Sequence, residues 1–301
     1  MILQLFLALI LTPLFDGICR ILRAKIQSRK GPPLFQTYFD LFKLLKRDRT
    51  RPESVHFVFV ITPYVCIAIA GLLVMLVGAK FGTKFNQISD LIVIIYLLVA
   101  FRFMLNLAAF DSQNPYASVG ANRENILALY AEPVMICAVV VICLMFGDTN
   151  LVQISNQINL AINGEFKLWK FSYILSGIVF LWAIYIEMTR KPFDIAEAEQ
   201  ETQEGVIAEF SGRDLAFMEI ANLLKQYAVI SLFLGFYFPF WFDGVLANLL
   251  LNAFLVGIFY VGAILIDNFG PRYSMFLSLR LNAFCMFVLG IISLILFFVG
   301  V

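Results

Sequence analysis

Eight apolar runs limit what this chain can fold into. They lie near residues 2–19, 57–79, 89–109, 125–146, 171–189, 215–240, 245–266 and 281–300. Each approaches the roughly 20 helical residues that cross a hydrocarbon layer about 30 Å thick. The chain is 61% hydrophobic and 14% charged over 301 residues, more apolar surface than a soluble core could enclose. The runs predict an all-α integral membrane protein with about eight transmembrane helices. It is expected to form a single membrane domain, residues 1–301, with amphipathic helix segments in its cytoplasmic loops.

Lys and Arg in the loops set the orientation. Segment 20–56 holds ten of the 22 basic residues: Arg20, Arg23, Lys25, Arg29, Lys30, Lys43, Lys46, Arg47, Arg49 and Arg51. Loop 110–124 adds Arg123, loop 190–214 adds Arg190, Lys191 and Arg213, and loop 267–280 adds Arg272 and Arg280. The opposite side carries only Lys80, Lys84, Lys167 and Lys170. These four basic loops are therefore expected on the cytoplasmic face, with both termini outside. The first run opens at Ile2 with no basic residue before it, so it is expected to remain as an uncleaved span. Within 20–56, Gly31-Pro32-Pro33 interrupts the chain. Leu34, Tyr38, Leu41, Leu44 and Leu45 then recur at helical spacing, with Lys43, Lys46 and Arg47 on the other side. This predicts a short interfacial helix that anchors in lipid headgroups, docks a soluble partner, or does both.

The net charge of +1 gives no pull toward nucleic acid. The five cysteines form no C-x-x-C pair, and His56 is the single histidine. A bis-histidine haem, a cysteine-ligated iron–sulfur cluster or a typical zinc site therefore cannot be assembled from this chain alone. If redox chemistry is involved, a partner carries the cofactors.

Ionisable groups inside spans are costly and mark functional or paired sites. Arg102, Glu132, Glu187, Glu219 and Lys225 all fall between the cytoplasmic edge and mid-membrane. That distribution describes a polar funnel open to one side. Either Glu132 and Glu187 change protonation when nearby charge changes, or Arg102 and Lys225 neutralise them as static pairs. The stretch Glu187–Glu209 adds seven carboxylates against Arg190 and Lys191. Asp194 stands where a helix N-cap would. A helix from there would place Asp194, Glu197, Glu201 and Glu204 on one face. The stretch is expected to be a proton-handling or coupling loop; the alternative is a solvated acidic loop.

The same residues resemble a known family. Glu187, Arg190, Pro192, Phe193, Asp194, Glu197, Glu199 and Glu201, followed by Gly205, Glu209 and Phe210, resemble the hallmark loop of respiratory complex I subunit 1 and its hydrogenase relatives. Arg20 through Lys43, with Gln27, Arg29, Lys30, Gly31, Pro32, Gln36 and Asp40, is a second match. Gly120, Ala121 and Arg123, with Glu132 nine residues after Arg123, is a third. Departures point to a branch. The stretch from Gly31 to Gln36 is short for the complex I type, and Asn222 and Cys19 stand where that type has glutamates. These changes disfavour quinone reduction. Glu132-Pro133 and Leu224-Lys225-Gln226 resemble the membrane subunit of group 4 hydrogenases, of the formate hydrogenlyase subunit 4 and hydrogenase-4 component C type.

That resemblance implies a membrane anchor in a bacterial or archaeal cytoplasmic (inner) membrane, under a peripheral nickel–iron hydrogenase arm. The implied partners are the hydrogenase large and small subunits, an iron–sulfur subunit and antiporter-like membrane subunits, with the iron–sulfur clusters and nickel–iron centre in those partners. Glu132, Glu187, Asp194, Glu197, Glu199, Glu201 and Glu209, with Arg102 and Lys225, would form the proton path. Arg20, Arg23, Lys25, Arg29, Lys30, Asp40, Lys43 and Arg272 would face the arm, and Asp267 is a further candidate in the last cytoplasmic loop. A quinone-site subunit of complex I is the alternative within the superfamily. A secondary transporter is a third reading, which the absence of an internal repeat disfavours.

Overall fold

A computed structural model describes residues 2–78, 89–160, 171–196, 199–202, 205–238 and 244–300, apart from the side chains of Leu160, Glu199, Gln200 and Cys285. In chain order the helices are α1 (Ile2–Ile26), α2 (Gln36–Lys46), α3 (Phe57–Val77), α4 (Leu91–Asp111), α5 (Pro115–Phe146), α6 (Leu151–Leu160) and α7 (Phe171–Glu187). They continue with α8 (Glu199–Thr202), α9 (Gly212–Tyr237) and α10 (Val245–Phe269). The last, α11 (Met275–Val299), contains a π-turn at Leu281–Met286. No β-strand occurs among the described residues. Among the described residues, seven helices are at least 18 residues long and apolar enough to cross a membrane, and α7 is a shorter apolar helix of 17 residues. The chain is an all-α integral membrane protein.

The bundle is built around α9, which touches α1, α2, α3, α7 and α10. Its most apolar window is 67% buried, against 18% for α11. Small, aliphatic and aromatic residues from Ala216 to Phe236 are buried on every side of α9, as expected of a helix enclosed by its neighbours. On one flank α3, α4, α5, α7 and α11 pack in succession, and α1 packs on α10 on the other. The free thiols of Cys19 and Cys66 are buried among these helices, in keeping with a packing role.

Two expectations need correction. Loop 110–124 is mostly helix, because α5 starts at Pro115. Asn114 caps it by accepting a bond from the Tyr116 N–H at 2.9 Å, and proline at the first helical position fits its geometry. The resulting 32-residue helix is about 48 Å long and outreaches the hydrocarbon layer, so its polar first turns fall outside the apolar run. Nor does a helix begin at Asp194. Residues 188–196 form turns, with Thr189 at φ 51°, and the next described helical segment is Glu199–Thr202. Hence Asp194 and Glu201 do not share one helical face, and Glu197 and Glu204 lie outside the described residues.

The charged loops are tied together at one end of the bundle. Thr50 donates its N–H to Ser211 Oγ at 2.8 Å, and Arg51 holds the buried Asp214 carboxylate at 2.8 Å. Asp111, closing α4, accepts the His56 and Phe59 N–H groups at 3.0 Å and so caps α3. The interfacial helix α2 presents two faces. Thr37 and Leu41 are buried inward, while Phe35, Phe39 and Phe42 project outward at 52%, 60% and 61% exposure. An outward aromatic row beside Lys43 and Lys46 suits the membrane interface.

Candidate functional site

Four helices bring five ionisable side chains together inside the bundle. Arg102 on α4 is the hub. Its Nη1 donates to Glu132 Oε1 at 2.5 Å, its Nη2 donates to Glu187 Oε2, and its Nε lies 3.8 Å from Glu124 Oε1. Lys225 on α9 reaches the other Glu187 oxygen at 3.4 Å and lies 5.1 Å above the Phe101 ring. The side chains of Arg102, Glu187 and Lys225 are only 10%, 6% and 5% exposed. Of the five groups expected to line the funnel, Arg102, Glu132, Glu187 and Lys225 therefore meet in one cluster.

Glu124 was not expected there. It lies in stretch 110–124, whose polarity predicts a loop, yet on α5 it stands eight residues before Glu132 and on the same helical face. It is the third acid of the cluster, and its side chain is 14% exposed. With every group ionised, three carboxylates face two cations. The imbalance is one negative charge in a region of low dielectric. The cluster can therefore accept one proton and become neutral. Beside it, Asn106 donates to Asn125 at 2.5 Å and extends the polar contact between α4 and α5.

The other acids of the hallmark stretch stand at separate posts. Asp194 accepts from Arg272 at 2.8 Å, Glu201 pairs with Arg123 at 2.5 Å, and Glu209 accepts from Asn114 Nδ2 at 2.6 Å. Glu197 lies outside the described residues, as does the side chain of Glu199. The stretch is fixed to α5 through glycines. A Cβ on Gly120 would sit 3.0 Å from both the Ala196 carbonyl oxygen and the Gly205 Cα, and Gly205 holds φ 55°. Both positions need glycine.

The basic residues expected to face a partner divide into two groups. Arg20 binds Asp16 and Asp40 at 2.9 Å, bracing α1 against α2, and Arg23 binds the buried Asp267 on α10. Arg272 is held by Asp194. By contrast, Lys25, Arg29, Lys30 and Lys43 are exposed and form no ion pair among the described residues.

Asp194 gives a pH dependence. Burial pushes its carboxyl up from the usual 3.8, and the Arg272 guanidinium only partly opposes this. A carboxyl raised on folding adds stability below its ordinary value and loses it as the pH rises through the raised one. Asp194→Asn should therefore flatten the decline in melting temperature above about pH 4, where wild type falls. Parallel wild-type and variant profiles across that range would refute the assignment.

Comparison with known proteins agrees with this architecture. The NADH dehydrogenase family model matches residues 1–298. Hydrogenase-4 component C of Escherichia coli K12 is 39% identical over 238 residues, covering 79% of this chain and 74% of that protein. Formate hydrogenlyase subunit 4 of the same strain is 32% identical over 243 residues, covering 79% of this chain and 76% of that protein. Among solved structures, a chain of the membrane-bound sulfane sulfur reductase, an archaeal respiratory membrane complex, superposes with a TM-score of 0.84 at 22% identity. That match covers 98% of this chain and 97% of the other. The chain belongs to the NADH dehydrogenase family, as a membrane protein of the complex I subunit 1 type.

Proposed function

We propose that this chain is the membrane-anchor and proton-coupling subunit of a multi-subunit nickel–iron hydrogenase complex, energy-converting or formate-linked. It docks the peripheral redox arm and begins the proton path. The observation that carries the reading is the cluster of Arg102, Lys225, Glu124, Glu132 and Glu187, largely buried except for a half-buried Glu132, with one acid in excess. The chain's likeness to two hydrogenase proteins, at 39% and 32% identity, supports the hydrogenase reading over the complex I one. The iron–sulfur and nickel–iron centres belong to the arm, in keeping with a chain that has one histidine.

The coupling is electrostatic. An electron arriving about 15 Å away, at an effective dielectric of about 20, shifts a carboxylate's proton equilibrium by about 1 kcal/mol. That is somewhat less than tenfold in proton affinity. The surplus acid then takes a proton from the funnel and releases it when the electron leaves. Glu201, Glu209 and Asp194, each with its own partner, carry the response along the acidic stretch toward antiporter-like neighbours.

Docking falls to Lys25, Arg29 and Lys30, exposed basic groups with no ion pair among the described residues. Reversing charge at Arg29→Glu and Lys30→Glu together should reduce co-purification of the hydrogenase arm at least tenfold, while the membrane chain still accumulates. This follows because like-charge juxtaposition costs several kcal/mol at an interface. Full retention of the arm would show that it docks elsewhere.

A further inference from the structure

Between α7 and α10 lies an apolar crevice of about 450 Å³. Leu181 and Trp182 form one wall, and Gly262 and Ile266 the other. Its lips are open to the surroundings of the bundle, with Ile178, Ile258 and Ile266 at 52%, 50% and 51% exposure. One end is roofed. The Tyr273 N–H donates to the Pro192 carbonyl at 3.0 Å, and the Phe193 ring meets Trp182 and Tyr273 edge-on at 5.2 and 5.6 Å. Each of two roof residues follows a basic one: Lys191 precedes Pro192, and Arg272 precedes Tyr273. Lys191 forms no ion pair among the described residues. Arg272 meets Asp194 through Nη2, while its buried Nε has no hydrogen-bond partner among the described residues. Lys191 and Arg272 both lie close enough to act on the Asp194 carboxylate, as does Asp267, which Arg23 neutralises, so the described charges beside the roof leave one positive in excess.

We propose that this crevice holds one acyl chain of an anionic phospholipid, with the phosphate at Lys191 and Arg272. Basic groups at the rim of a slot between transmembrane helices match anionic headgroups. A partner helix fits less well. At about 10 Å wide, it would place only about one turn in this volume before meeting the roof. The acyl chain rests against Phe193 and so braces the segment that carries Asp194. Lipid composition then tunes the position of the acidic stretch.

The test uses the intact complex in nanodiscs, with Trp182 left as the only tryptophan of this chain by Trp169→Phe and Trp241→Phe. Its fluorescence is resolved by difference against the same complex carrying Trp182→Phe. A small fraction of phosphatidylglycerol with brominated acyl chains should quench Trp182 about five-fold more than brominated phosphatidylcholine, the enrichment expected from one basic residue near the surface. Lys191→Gln should bring the two lipids close to parity. Gly262→Leu should lower quenching by both, since a Cβ there meets nothing within 4 Å and the new side chain fills the slot. Equal quenching by the two lipids in the parent, or a preference that survives Lys191→Gln, overturns the proposal. So does quenching that appears only when this chain is separated from its partners, because a partner subunit then fills the crevice.

Discussion

Arg102→Ala should destabilise the protein more than any other single substitution in the cluster, by about 3–5 kcal/mol, the usual consequence of removing one partner from a buried ion pair. The guanidinium contacts Glu132 and Glu187 directly and lies 3.8 Å from Glu124. Without it, Lys225 alone faces three carboxylates. A sharply lowered melting temperature in detergent, or loss of the chain from the membrane, is the expected result. Arg102→Lys should fall between, because it keeps the charge and loses the planar fork that reaches two acids at once. Adding Glu187→Gln to Arg102→Ala should recover part of the loss, since contacting residues couple by about 0.5–3 kcal/mol. If Arg102→Ala melted like wild type, the guanidinium would not be holding these acids in the membrane.

The second large effect is functional. Glu187→Gln keeps one acceptor oxygen where Glu187 offers Arg102 and Lys225 one each, and it removes one charge, leaving two acids against two cations. The cluster is then already neutral and has no surplus site for a proton. Assembly with the hydrogenase arm should be unchanged, and proton movement per electron pair in inverted vesicles should fall at least tenfold. Unchanged proton movement would exclude Glu187 from the path.

Much of this was readable from the residues, for identifiable reasons. Apolar runs marked where the long helices lie, because lipid demands length and hydrophobicity together, although α1, α5 and α11 each extend well past the run that marks them. Arg102, Glu132, Glu187 and Lys225 stood out because charge inside an apolar run is conspicuous. Glu124 did not, since it lies in the polar first turns of α5, beyond the run that marks the span. Asn114-Pro115 was the available signal for that helix start. The acidic stretch misled in the other direction. Its spacing fits a helix from Asp194, but the Asp194–Arg272 pair and the packing of Ala196 against Gly205 hold it as turns. Those are tertiary contacts, and local spacing carries no record of them.

The central claim is that the surplus carboxylate takes up a proton when the neighbouring redox centre gains an electron. Infrared difference spectroscopy of the intact complex, reduced minus oxidised, reads this directly. A carboxylic-acid C=O band should appear on reduction in wild type and disappear in Glu187→Gln, whose cluster is already balanced. No band in wild type, or the same band in Glu187→Gln, Glu132→Gln and Glu124→Gln alike, would contradict the account.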